Sequence, residues 1–198
     1  MTASFDSAAF SRRTLLLSGL GAAGALLLAG CAPGAPTLIT PTAPPIGAAE
    51  TARGGTGRVV STTLRAAATT VDLAGTKAQT WAFGNIPASV IRATAGDTIA
   101  ARVENGLSTE TSVHWHGLAL RNDMDGVPGL TQDAIPAGGA FDYRFIAPDP
   151  GTYWFHPHVG VQLDRGLYGA LIVEDPKEPL QYDDEWVLIL DDWLDGIT

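Results

Sequence analysis

Cysteine is nearly missing from this chain: Cys31 is the only one among 198 residues. A single thiol excludes an internal disulfide. Its separation from every histidine also leaves the region beyond residue 60 without a thiolate ligand. Basic charge is scarce as well. Twelve Lys and Arg face 21 Asp and Glu, a formal net charge of −9, which argues against nucleic acid, whose binding rests on neutralised phosphates. Beyond residue 60 no segment carries a convincing apolar stripe at the helical period, so helices are not expected to build the core. Histidine is rare too, but its placement is ordered. All four lie in two pairs, His114-Trp115-His116 and His156-Pro157-His158.

In an extended strand, residues two apart point to the same face with Cα atoms about 6.5–7 Å apart. Each pair therefore presents two imidazoles side by side, and two such strands can bring four together. Neutral imidazole suits copper, zinc, iron and nickel. Buried imidazole nitrogens need partners, so chance placement in aromatic core strands is the less economical account. Spacing alone leaves open whether the four serve one metal or several.

Residues 1–30 read as a targeting segment, not as part of the fold. Ser11-Arg12-Arg13-Thr14-Leu15-Leu16-Leu17 resembles a twin-arginine export motif. The apolar run that follows is shorter than the ~20 residues that span a bilayer comfortably. Leu28-Ala29-Gly30-Cys31 resembles a lipobox, which implies cleavage before Cys31 and its lipidation. An ordinary cleavage site with an incidental cysteine, or an uncleaved anchor, is the plainer alternative. Residues 31–60, with Pro33, Pro36, Pro41, Pro44 and Pro45, are expected to be a flexible tether behind the lipidated Cys31. The expected location is the extracytoplasmic side of a bacterial cell envelope, as a membrane-anchored lipoprotein.

From about residue 61 short runs alternate and are punctuated by Gly, Pro, Asn and Asp. Ile99, Ala101 and Val103 alternate with Ala100, Arg102 and Glu104; Phe141, Tyr143 and Phe145 alternate with Asp142 and Arg144. The period of two predicts half-buried strands, and Pro148-Asp149-Pro150-Gly151 predicts a turn. Both His-X-His pairs are expected within strands, with Val113, Trp115, Tyr153 and Phe155 on the opposite face. Leu167 to Val173 reads as a further apolar strand. The class is all-β, a two-sheet sandwich over residues 61–180. Trp186-Val187-Leu188-Ile189-Leu190 is a continuous apolar run, expected as a strand buried on both faces. Residues 181–198 then open a second, truncated domain.

Thr111-Ser112-Val113-His114-Trp115-His116-Gly117-Leu118 resembles the first copper-binding motif of the multicopper oxidases, and Gly151-Thr152-Tyr153-Trp154-Phe155-His156-Pro157-His158 resembles the second. Gly166 to Val173, Met124-Asp125-Gly126-Val127-Pro128 and Thr131-Gln132 also resemble that family, laccase-like enzymes and cuprous oxidases among its members. The resemblance implies a cupredoxin-like Greek-key sandwich that supplies half the ligands of a trinuclear copper cluster. By motif, His114 would bind the type 2 copper, and His116, His156 and His158 the type 3 pair. A C-terminal domain would supply the other half and the type 1 copper with its cysteine, which nothing here matches. Asp125 falls where the family has an acidic proton donor; a turn aspartate before Gly126 is its plainer role. Asp123 reads as a turn residue; Tyr168 and Arg165, near the second pair, read as surface or core groups, with a supporting role beside the ligands as the alternative.

The implied activity is oxidation of one-electron donors, phenolics or Cu(I), with O2 reduced to water. The implied partners are O2, the electron donor and a membrane reached through the lipid anchor. As supplied, the chain is expected to be inactive alone. Two other accounts stay open: a non-catalytic copper-binding envelope protein, and a mononuclear zinc or iron enzyme.

Overall fold

The computed structural model describes residues 39–193. Arg12, Arg13 and Cys31 lie outside the described residues. Among the described residues one α-helix, α1 (Pro44–Arg53), precedes eight strands: β1 (Val59–Leu73), β2 (Thr76–Phe83), β3 (Ala88–Thr94), β4 (Thr98–Asn105), β5 (His114–His116), β6 (Ala140–Ile146), β7 (Gly151–His156) and β8 (Gly169–Glu174). Short 3-10 turns occupy Asn122–Met124 and Leu163–Arg165. Among the described residues no helix is long and apolar enough to cross a membrane.

The strands form two four-stranded sheets, ordered β2-β1-β4-β6 and β3-β8-β7-β5. β1 runs parallel to β4, and β3 runs parallel to β8. Parallel neighbours cannot be joined by a tight hairpin, so the chain crosses between the sheets to make them. The fold is the expected cupredoxin-like sandwich.

Its core follows from the period-two pattern. Ile99, Ala101 and Val103 of β4, with Tyr143 and Phe145 of β6, are buried from the first sheet. Trp115, Phe155 and Leu171 meet them from the second. Trp115 is the bridge, with ring centroids 5.0 Å from Phe145, 5.6 Å from Tyr143 and 5.7 Å from Phe155. Truncating a buried aromatic of this size costs about 3–5 kcal/mol.

Two expectations need correction. Residues 31–60 are not all tether: Pro44–Arg53 is helical, with Pro at its start and Gly54 (φ +68°) ending it. Ile46 and Glu50 are one helical turn apart and both buried. Glu50 Oε1 accepts the Ile146 amide proton at 2.6 Å, so α1 docks at the end of β6 and satisfies one amide of its open edge. Ala-rich composition hid this helix, because two inward residues were enough to dock it. The second correction concerns residues 186–190. They are extended but join no sheet. Val187 and Ile189 are half-buried, whereas Trp186, Leu188 and Leu190 are 81%, 77% and 96% exposed. The apolar run is buried on one side only.

A polar clasp holds the segment before β1. Asp97 accepts from Thr56 Oγ1 at 2.6 Å, from the Thr94 amide at 2.7 Å and from Arg58 Nε at 2.8 Å. Arg58 and the other donors hold its carboxyl down to about 2, from an ordinary 3.8, against the opposing effect of burial.

Candidate metal centre

β5 is three residues long and pairs antiparallel with the end of β7, His114 opposite His156, Trp115 opposite Phe155 and His116 opposite Trp154. Opposed residues of a ladder share a face. The register therefore buries Trp115 and Phe155 in the core and sends His114, His116, His156 and Trp154 to the outer face. The ring centroid of His114 lies 5.6 Å from His116, 5.6 Å from His156 and 4.6 Å from His158; His156 lies 5.2 Å from His158 and 5.4 Å from His116. All four imidazoles share one small region. Trp154 walls one side of it, 4.9 Å from His116 and 4.2 Å from His156.

The expectation that both pairs lie wholly in strands holds for three of the four. β7 ends at His156, because Pro157 has no amide hydrogen to continue the ladder. His158 stands in the loop beyond, where its amide donates to Ser112 Oγ at 3.0 Å. Ser112 carries no metal-binding chemistry, and sequence reasoning gave it no role of its own.

His114 is braced from the Asn122–Met124 turn. Its Nδ1 meets the Asp125 carbonyl oxygen at 2.7 Å and the Asp125 carboxylate at 3.3 Å. With Nδ1–H donating there, Nε2 is left free as a donor to a metal. Burial pulls the His114 imidazole down, but the Asp125 carboxylate and carbonyl outweigh it and the net shift is upward. Gly126 lets this loop approach: at φ +77°, a Cβ there would come within 1.8 Å of the Val113 carbonyl oxygen. Asp123 is held by Arg121 through contacts of 2.6 and 2.8 Å, the structural role expected of it.

The second pair is tuned the other way. Burial, with the neighbouring imidazoles, pushes His156 down to about 4, and burial also lowers His158. Both are thus neutral near pH 7, the form that ligates. His156 Nδ1 donates to the Pro157 carbonyl at 2.9 Å, which turns Nε2 toward His116 Nδ1, 3.1 Å away.

This donor set is compatible with copper: among the described residues it offers imidazoles and no thiolate, with a carboxylate beside one of them, and imidazole ligates copper as well as zinc, iron and nickel. Among the described residues, no three or more His, Cys, Asp or Glu side chains close around a single metal position. The Tyr168 hydroxyl donates to Asp191, and the Arg165 guanidinium sits 5.2 Å over Trp81. The acidic residues Asp183, Asp184, Glu185, Asp191 and Asp192 are exposed.

A two-sheet sandwich with imidazoles gathered at one sheet edge defines a cupredoxin-like domain with a histidine-rich face. The family model described as multicopper oxidase matches residues 65–178, and the chain belongs to the multicopper oxidase family. It is 53% identical over 196 residues to the multicopper oxidase MmcO of Mycobacterium tuberculosis, covering 98% of this chain and 38% of that one. Copper resistance protein A of Pseudomonas syringae pv. tomato is 46% identical over 113 residues, 57% of this chain and 19% of its own length. Among solved structures, a multicopper oxidase from Pseudomonas thermotolerans superposes with a TM-score of 0.59 at 37% identity, over 63% of this chain and 31% of that chain. The chain thus spans well under half the length of these relatives. Membership implies copper as the cofactor.

Proposed function

We propose that His114, His116, His156 and His158 hold copper as one half of a trinuclear cluster, the other half coming from a further domain. His114 serves the type 2 position, and His116, His156 and His158 serve the type 3 pair. The observation that carries this is the convergence of four imidazoles on one open sheet edge, with ring centroids 4.6–5.6 Å apart where pairs meet. Copper held by these imidazoles would supply one-electron redox chemistry, which in the complete protein would couple oxidation of phenolic or Cu(I) donors to the four-electron reduction of O2 to water.

The residues of this chain orient and supply protons. Trp115 anchors the first pair to the core, and Trp154 limits water on one side of the imidazoles. Asp125 is the proposed proton relay: its carboxylate is 31% exposed and 3.3 Å from His114 Nδ1, so it touches both solvent and the ligand shell. In the same reading residues 61–180 form the first domain and 181–198 begin the next. Export through Arg12 and Arg13, and a lipid at Cys31, place the protein on the extracytoplasmic side of the envelope.

The test is spectroscopic and kinetic. Copper-loaded, the chain alone is expected to show no intense blue thiolate band and negligible oxidase turnover. Its reading frame beyond Thr198 is expected to encode a His-X-X-His-X-His and a His-Cys-His motif. Oxidase turnover by the isolated chain at the rate of a complete laccase would overturn the half-cluster assignment.

A further inference from the structure

His158 stands outside the ladder that places the other three imidazoles, so something else must fix it. The groups that do so are buried and polar. Thr111, Ser112 and Gln162 are 0%, 0% and 5% exposed. The Ser112 hydroxyl accepts the His158 amide proton at 3.0 Å. Thr111 Oγ1 donates to Gln162 Oε1 at 2.7 Å, and Gln162 Nε2 donates to the Glu110 carbonyl at 2.7 Å. All three bonds run from the residues just before the first His-X-His pair to His158 or to Gln162 in the loop after it.

The anchor end is itself fixed. Thr111 exchanges two main-chain bonds with Ile135, at 3.0 and 2.8 Å. The loop end has no strand to hold it, and Val161 within it is 70% exposed. The Thr111–Gln162 bond is buried and the other two are part-buried, so breaking them leaves polar groups with restricted access to water, at a cost in free energy. We propose that Thr111, Ser112 and Gln162 form a polar latch that sets where His158 stands, and with it the spacing between the two imidazole pairs. They are positioning residues, not ligands. Groups that only orient a metal-binding imidazole typically change metal affinity by roughly ten- to a hundredfold. For its copper readout the latch rests on the function proposed above; its effect on His158 does not.

The experiment uses the 198-residue chain as Ser112→Ala and Gln162→Met, with Asp97→Asn as a destabilised control remote from the imidazoles. Two readouts are taken: hydrogen exchange at the His158 amide in the metal-free protein, and Cu(II) affinity with its paramagnetic resonance spectrum. Exchange at His158 is expected to quicken by about tenfold or more in Ser112→Ala, while Trp115 and Phe155 exchange as in the parent. Cu(II) affinity is expected to fall roughly tenfold in both latch variants, with an altered nitrogen hyperfine pattern, and to hold in Asp97→Asn. Unchanged His158 exchange in Ser112→Ala overturns the latch. So does an affinity loss that Asp97→Asn shares in proportion to its melting temperature. If the parent binds no Cu(II) yet His158 exchange quickens in Ser112→Ala, the latch stands and the copper assignment falls.

Discussion

His114 and His116 flank Trp115 inside β5, and the ladder to β7 places both imidazoles. His156 and His158 have the same spacing, yet Pro157 ends β7 between them, and a loop carries the second ring. The first pair inherits its geometry from the core: Trp115 is wholly buried, and the Gly126 loop is pressed against Val113 behind it. The second pair inherits half of its geometry from the core and half from three buried polar side chains. Equal spacing in sequence thus hides two different means of aiming an imidazole, one by apolar packing and strand register, the other by hydrogen bonds across about fifty residues of chain. Packing is robust but coarse, whereas the latch depends on individual atoms.

The difference can be attacked from either side. Trp115→Ala is expected to cost about 3–5 kcal/mol, lowering the melting temperature by roughly 10 °C. Trp154→Ala, on the partly exposed imidazole face, is expected to cost far less. Equal losses in calorimetry would show that the first pair is not held by the core. Gly126→Ala is expected to cost about 2–3 kcal/mol, since a side chain at that φ is strained and its Cβ meets the Val113 carbonyl; a denaturant midpoint matching the parent would remove the brace assigned to His114.

Asp97 lies outside both pairs and supplies a pH marker for the rest of the sandwich. Its folded-state value is depressed, so its contribution is complete above its ordinary 3.8 and is lost as pH falls toward about 2. Asp97→Asn, which removes the carboxylate that the Thr94 amide and Arg58 share, is expected to cost about 1–2 kcal/mol at neutral pH. It should also flatten the stability profile between those two values; an unchanged profile would place the acid sensitivity elsewhere. The smallest effect is expected from Pro157→Ala, at most about 1 kcal/mol through the unfolded chain, because the carbonyl that fixes His156 survives the change. A larger loss by calorimetry would mean that the proline ring itself organises the second pair.

Much of this was legible in the chain. The alternation at residues 99–103 and 141–145 named the core strands, and the paired histidines named the site. His158 leaving the strand was legible too, since a proline cannot donate to a ladder, but the His-X-His spacing drew attention from it. Ser112 and Gln162 left no pattern, because partners about fifty residues apart are joined only by the fold. Helix α1 was missed because Ala, Pro and Gly mark a tether as readily as a helix when only Ile46 and Glu50 face inward. One-sided burial of residues 186–190 is not legible, because an apolar run does not state how many faces are covered; here Val187 and Ile189 turn inward and their neighbours do not.

The most direct measurement is Cu(II) titration of the full chain and of His114→Ala combined with His156→Ala, which removes one imidazole from each pair at the opposed position of the ladder. The account predicts that affinity falls by at least about a hundredfold, beyond what groups that merely orient a ligand cause, while the metal-free melting temperature stays near the parent's. Equal affinity in parent and double variant would show that the four imidazoles do not share a copper site.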